Sequence, residues 1–194
     1  MASKKRLELA FFLLALTWFT QSAVAIPIGG VLEAECSDTL EIAGGLATVE
    51  CTVYSYESSE YVYTYQISNI SSVGLSFFSV GIASGADAYD PSYDTDTGLV
   101  DPAYWTIVGS PVQSVDALFT DTIDNDGLSS AVLWFKSTHA PDLGNVMLFG
   151  TSSGAPHSAT GEVLAPSATP EPATIMLLGF GGAVMTTARR RRNS

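Results

Sequence analysis

The most concentrated chemistry in the chain is a run of oxygen-bearing side chains ahead of a glycine turn, Asp121-Thr122-Ile123-Asp124-Asn125-Asp126-Gly127. Carboxylate and amide oxygens are hard ligands of the kind Ca²⁺ selects, and Asp121, Asp124 and Asp126 are the candidate ligands. The run is not an EF-hand. The alignment that puts Gly127 at the turn puts Thr122 where an Asp belongs and Leu133 where the bidentate Glu belongs. A second acidic group comprises Asp87, Asp90, Asp94 and Asp96. A plainer reading stands against both, because Asp and Asn also end strands and build turns. Beyond calcium, no cofactor is expected.

Acid–base and nucleophilic chemistry has little to draw on. The chain holds two histidines, His139 and His157, and no G-x-S-x-G. A small hydrolase would need His139 brought to a carboxylate or serine in a cleft. Paired carboxylates could serve a glycosidase, but the acidic residues here cluster in turn-like stretches. The chain is therefore read as non-enzymatic. A carbohydrate-binding module would instead line up Tyr89, Tyr93, Tyr104 and Trp105 on its surface. Cys36 and Cys51 are the only cysteines. The expectation is a disulfide closing a loop of about 15 residues, worth about 3 kcal/mol in the chain-entropy account. With no C-x-x-C and no neighbouring histidine, zinc is not expected. Asn69-Ile70-Ser71 matches a glycosylation acceptor pattern.

Charge separates the chain into a body and two ends. Lys4, Lys5 and Arg6 open it, Arg189, Arg190, Arg191 and Arg192 close it, and Lys136 is the only basic residue between. From Ile26 to Pro170 there are 18 acidic residues against 1 basic, a formal charge of −17. Such a body repels nucleic acid, whose phosphates need Lys and Arg. It suits a solvated exported protein.

The front end reads as a signal peptide over 1–25. It has a cationic start, an apolar run from Leu7 to Phe19, and a small-x-small cleavage site with Ala23 and Ala25 flanking Val24. At the other end, Pro170-Glu171-Pro172-Ala173-Thr174 precedes an uncharged run over 173–188, and then the arginines. As a helix that run rises about 24 Å, slightly short of a bilayer core. Arg189 to Arg192 would hold the terminus in the cytoplasm by the positive-inside bias.

Pro170-Glu171-Pro172-Ala173-Thr174, the apolar run and the terminal arginines resemble the PEP-CTERM sorting signal. The resemblance implies a sorting tail over 169–194 recognised by an exosortase, a membrane-embedded transpeptidase. It implies cleavage near Pro-Glu-Pro and a membrane-anchored intermediate. It also implies a destination at the cell surface or in the extracellular matrix, with exopolysaccharide or biofilm as the partner.

Between the ends, residues 26–150 read as one all-β domain, a β-sandwich of Ig-like or jelly-roll-like type. Glu60 to Ile67 alternates strictly, with Tyr61, Tyr63, Tyr65 and Ile67 on one face. Leu46–Tyr56, Val73–Ile82, Ala131–Lys136 and Val146–Phe149 are further predicted strands. Val53, Ile67, Phe77, Leu133, Phe135 and Leu148 are the predicted core. Gly85 to Pro102 is expected to be a long loop. Residues 151–168, rich in Ser, Ala and Pro, are expected to be a flexible stalk.

Overall fold

The computed structural model describes residues 29–56, 59–95, 100–124 and 128–168. The signal peptide, the tail over 169–194, Asp96 and Asp126 lie outside the described residues. Ten strands run in chain order: β1 (Val31–Ile42), β2 (Gly45–Tyr56), β3 (Glu60–Asn69), β4 (Gly74–Gly81), β5 (Tyr89–Asp94), β6 (Tyr104–Val108), β7 (Ser114–Ile123), β8 (Val132–Ser137), β9 (Pro141–Ser152) and β10 (Ala155–Pro166). They form two five-stranded sheets, ordered β1-β2-β3-β8-β5 and β10-β9-β4-β7-β6, with every named pair antiparallel. The inner faces of both sheets feed one apolar cluster. The expected β-sandwich is therefore present.

The tyrosine alternation of β3 is core packing. Tyr63, Tyr65 and Ile67 are fully buried, and Tyr61 packs at the margin. Tyr63 and Tyr65 lie 5.3 and 5.9 Å from the Phe135 ring, and Phe78 and Trp105 continue the stack. A buried phenol needs a partner for its hydroxyl. Tyr63 Oη donates to the His139 carbonyl at 2.8 Å, and Tyr65 Oη to that of Leu164 at 2.7 Å.

Five of the six predicted core residues, Val53, Ile67, Leu133, Phe135 and Leu148, are buried. The sixth is corrected. Phe77 is half-buried on the outer face, and Phe78 takes the core position. A register shift between Leu75 and Phe77, seen from both neighbouring strands, is the cause. One extra residue in a strand flips every later side chain to the other face.

Two segments expected to be irregular are strands. The supposed loop at Gly85–Pro102 contains β5, which pairs with β8 through a register shift between Tyr89 and Ser92. Asp90 there has a φ of 49°. β5 is an edge strand, where Pro91 removes no ladder bond that the sheet requires. The supposed stalk at 151–168 contains β10, paired with β9 in unbroken register from Ala155↔Ser152 to Pro166↔Pro141. Ser153 and Gly154, both at positive φ (51° and 80°), make the two-residue turn between them. Small side chains hid this strand. Ala159, Val163, Ala165 and Pro166 are its buried residues, with Leu164 packed at the margin, and backbone pairing does the rest.

Candidate functional site

His139 is not isolated. The β8–β9 turn brings its Nδ1 to 3.0 Å from Asp87 Oδ1. The same carboxylate accepts from Ser137 Oγ at 2.7 Å, from the Thr138 amide at 2.9 Å and from Thr138 Oγ1 at 2.9 Å. Burial raises the Asp87 pKa, but the bonds from His139, Ser137 and Thr138 outweigh it and hold the carboxyl at about 2. A serine, a histidine and an aspartate thus meet, with the aspartate rather than the histidine at the centre of the bonds. Ser137 Oγ donates to the carboxylate and accepts from the His139 amide, and the hydroxyl near the imidazole is that of Thr138, 3.3 Å from Nδ1 and itself donating to Asp87 Oδ2. Its effect is to tie the segment before β5 to the β8–β9 turn.

The calcium candidates divide. Asp121 lies exposed in β7, two residues before its end, and Asp124 Oδ1 accepts from Thr122 Oγ1 at 2.6 Å, the bond of a turn. Asp126 is outside the described residues. Among the described residues no group of three or more His, Cys, Asp and Glu side chains converges. Asn69 is fully buried, and its Nδ2 donates to the carbonyls of Val73 and Ile123 at 2.7 and 2.6 Å. Both amide protons are engaged, so the folded protein does not offer this asparagine to a glycosylating enzyme.

The aromatic row expected from Tyr89, Tyr93, Tyr104 and Trp105 does not form. Trp105 is fully buried, with Nε1 donating to the Trp134 carbonyl at 2.8 Å. Tyr89 and Tyr93 lie half-buried on β5, in the opposite sheet from Tyr104 on β6. A different row exists. Phe149 faces Phe77, Phe77 faces Leu118, and Leu118 faces Tyr104 across β9, β4, β7 and β6. All four are on the outer face, about 14 Å from end to end at the usual strand spacing. Phe149 and Tyr104 are 36% and 39% exposed, and Met147 beside them is 40% exposed. The bulge that moved Phe77 out of the core completes this stripe. The sequence signal was present in the parity of each strand, but only the register aligns them. The one Lys of the described residues, Lys136, is in the other sheet, paired with Glu60 at 3.4 Å and Asp90 at 3.8 Å.

The expected Cys36–Cys51 disulfide is absent. The two residues are directly opposed in the β1–β2 register, and both are thiols. The same sulfurs face β10, the last strand.

β10 delivers the chain to the edge of the fold without slack. The Pro166 carbonyl accepts from the Ala83 amide at 3.4 Å, and the Ser167 amide donates to the Ala140 carbonyl at 3.1 Å. Ala168 still packs against the core. A groove of about 360 Å³, lined by Ile82, Ala83, Gln113, Leu143, Pro166 and Ser167 among others, lies beside this exit. From that point onward the sequence matches a family model, the PEP-CTERM protein-sorting motif, over residues 168–192.

The chain carries a PEP-CTERM sorting motif.

No curated protein and no solved structure matches the chain. The PEP-CTERM motif marks an exported protein, held first at the membrane and sorted to the extracellular side by an exosortase. Pro170, Glu171, Pro172, Ala173 and Thr174 fall within the match, as do Arg189 to Arg192. The apolar run over 173–188 is outside the described residues. Among the described residues no helix is long and apolar enough to cross a membrane. The PEP-CTERM motif therefore begins at Ala168, the last described residue, where strand pairing has just ended.

Proposed function

We propose that the sandwich is a non-catalytic component of the extracellular matrix or cell surface, which an exosortase delivers and whose outer face holds exopolysaccharide. The observation carrying this reading is the Phe149–Phe77–Leu118–Tyr104 stripe on a domain joined directly to a PEP-CTERM motif. Sugar rings present C–H faces that stack on aromatic side chains. Polar groups beside such a stripe fix orientation, and here Ser79 Oγ bonds Asp116 Oδ1 at 2.6 Å one row away. With Lys136 engaged elsewhere, the face suits a neutral or amino-bearing glycan rather than an anionic one. Nucleic acid is disfavoured by the −17 charge of the body.

The test has two parts. The intact mass of the protein from its own host is compared with that from a host lacking the exosortase. A new C-terminus near Pro170–Thr174 is expected only in the former, and a chain running to Ser194 in both would remove the sorting step. Retention on host matrix polysaccharide is then measured for wild type, Tyr104→Ser and Phe149→Ser. At about 1–3 kcal/mol per lost aromatic stack, as measured for stacking on bases, each change should weaken retention about fivefold or more. Unchanged retention in both would end the glycan reading.

A further inference from the structure

One residue of β10 is held from the opposite sheet through both of its backbone polar groups. The Leu164 amide donates to Cys36 Sγ at 3.3 Å. Its carbonyl accepts from Tyr65 Oη at 2.7 Å and from Cys51 Sγ at 3.5 Å. β10 is an edge strand, so alternate amides point away from β9 and need partners. Two residues earlier, the Glu162 amide meets Asp38 Oδ2 at 2.9 Å. A carboxylate is a good acceptor for an edge amide, whereas neutral sulfur is a weak one. Capping alone does not account for two cysteines at the Leu164 position.

Their surroundings differ. Cys36 is half-buried, and Cys51 is buried. The adjacent Cys51 thiol lowers the Cys36 pKa to about 6, against the opposing effect of burial and with help from the Leu164 amide. The pairing with Cys36, and then burial, push the Cys51 thiol up. Cys36 is therefore the sulfur that ionises first, while Cys51 keeps its proton on the Leu164 carbonyl. A reachable thiolate beside a buried thiol is the arrangement of an attacking and a resolving sulfur.

We infer that Cys36 and Cys51 form a redox-active dithiol whose reduced state clamps the strand leading into the sorting motif and whose oxidised state releases it. The co-reactant is an external disulfide. The Cys36 thiolate attacks one of its sulfurs, forming a mixed disulfide and expelling a thiolate that takes a proton from solvent. Cys51 gives up its proton to solvent and attacks Cys36 Sγ. The mixed bond breaks, and the second external thiolate leaves and is protonated. Two protein thiols lose two electrons, and one external disulfide becomes two thiols. Opposed β-carbons in an antiparallel pair lie about 4.5–5.5 Å apart, against about 3.5–4.5 Å in a disulfide, so closure needs a local approach of about 1 Å. The bridged sulfurs have no proton for the Leu164 carbonyl and no charge for its amide. Only the Tyr65 bond remains.

The full chain is equilibrated with reduced and oxidised glutathione at a series of ratios. Intact mass should show an internal bridge as the stable product. Hydrogen exchange at the Leu164 amide should be at least tenfold faster in the bridged form, while the core of β3 is unchanged. Cys51→Ser should stop at a glutathione adduct on Cys36, and Cys36→Ser should not react. A stable adduct on wild type with no bridge would overturn the proposal, as would a bridge that leaves Leu164 exchange unaltered. The wild-type measurements decide the matter even if a variant fails to fold.

Discussion

Asp87 and Asn69 show how single polar side chains organise this sandwich. The Asp87 carboxyl is held at about 2, mainly against burial by its bonds from His139, Ser137 and Thr138. A carboxyl whose folded pKa lies below its unfolded value, near 3.9, stabilises the fold fully above that unfolded value. The contribution is then lost as pH falls through about 2. Thermal melts of wild type should therefore lose stability between about pH 4 and pH 2, and Asp87→Asn should flatten that window. Asp87 is 40% exposed, so solvent screening limits the effect to about 1 kcal/mol. Asn69 is a harsher case. Besides donating to Val73 and Ile123, its Oδ1 accepts from the Ser71 amide at 2.9 Å and from Ser71 Oγ at 2.7 Å, all buried. Asn69→Ala should cost about 2–4 kcal/mol in urea unfolding, because buried carbonyls and an amide lose their partner. A change below about 0.5 kcal/mol would show that water replaces the side chain.

At the scale of the element, the bulge in β4 makes the sharpest contrast. Phe78→Ala removes a fully buried ring stacked near Tyr65 and Trp105 and should cost about 3–5 kcal/mol. Phe77→Ala, one residue away, should cost under about 1 kcal/mol and act on ligand retention instead. Equal losses in denaturant unfolding would put the bulge elsewhere. The same element shows what the sequence could convey. Strands with strict alternation and large side chains, such as β3, were legible, and so were core residues such as Ile67 and Leu148. The Phe77 assignment failed because a bulge leaves no mark in composition. β10 was missed because Ser, Thr, Ala and Gly carry little hydrophobic period, and its order comes from pairing with β9. β5 was missed because Asp and Pro discourage a strand everywhere except at an edge. The sorting motif was legible in full, since its signal is linear and needs no fold. The aromatic stripe and the Leu164 clamp were not, because both join residues that only sheet register brings together.

For the whole molecule, the boundary of the body is the testable matter. A chain ending at Gly150 lacks β10 and exposes the β9 edge together with the inner positions facing Ala159, Val163 and Ala165. It should fail to give a cooperative melt, while a chain of residues 26–168 should melt as a single unit. If the shorter chain melts cooperatively at the same temperature, β10 is dispensable, and the last strand belongs to the tail rather than the sandwich.

The direct passage from β10 into the PEP-CTERM motif also fixes a leash length. Three residues separate Pro166 from Pro170, and an extended chain covers at most about 14 Å in those four steps. An enzyme acting near Pro170 therefore works within one domain radius of a finished fold, or acts before β10 has zipped onto β9. Processing and the last step of folding then compete for the same stretch of chain. A short Gly-Ser spacer inserted after Ala168 should relieve that competition and speed appearance of the mature terminus in a pulse-chase. An unaltered rate would mean that the enzyme already tolerates a folded neighbour at arm's length.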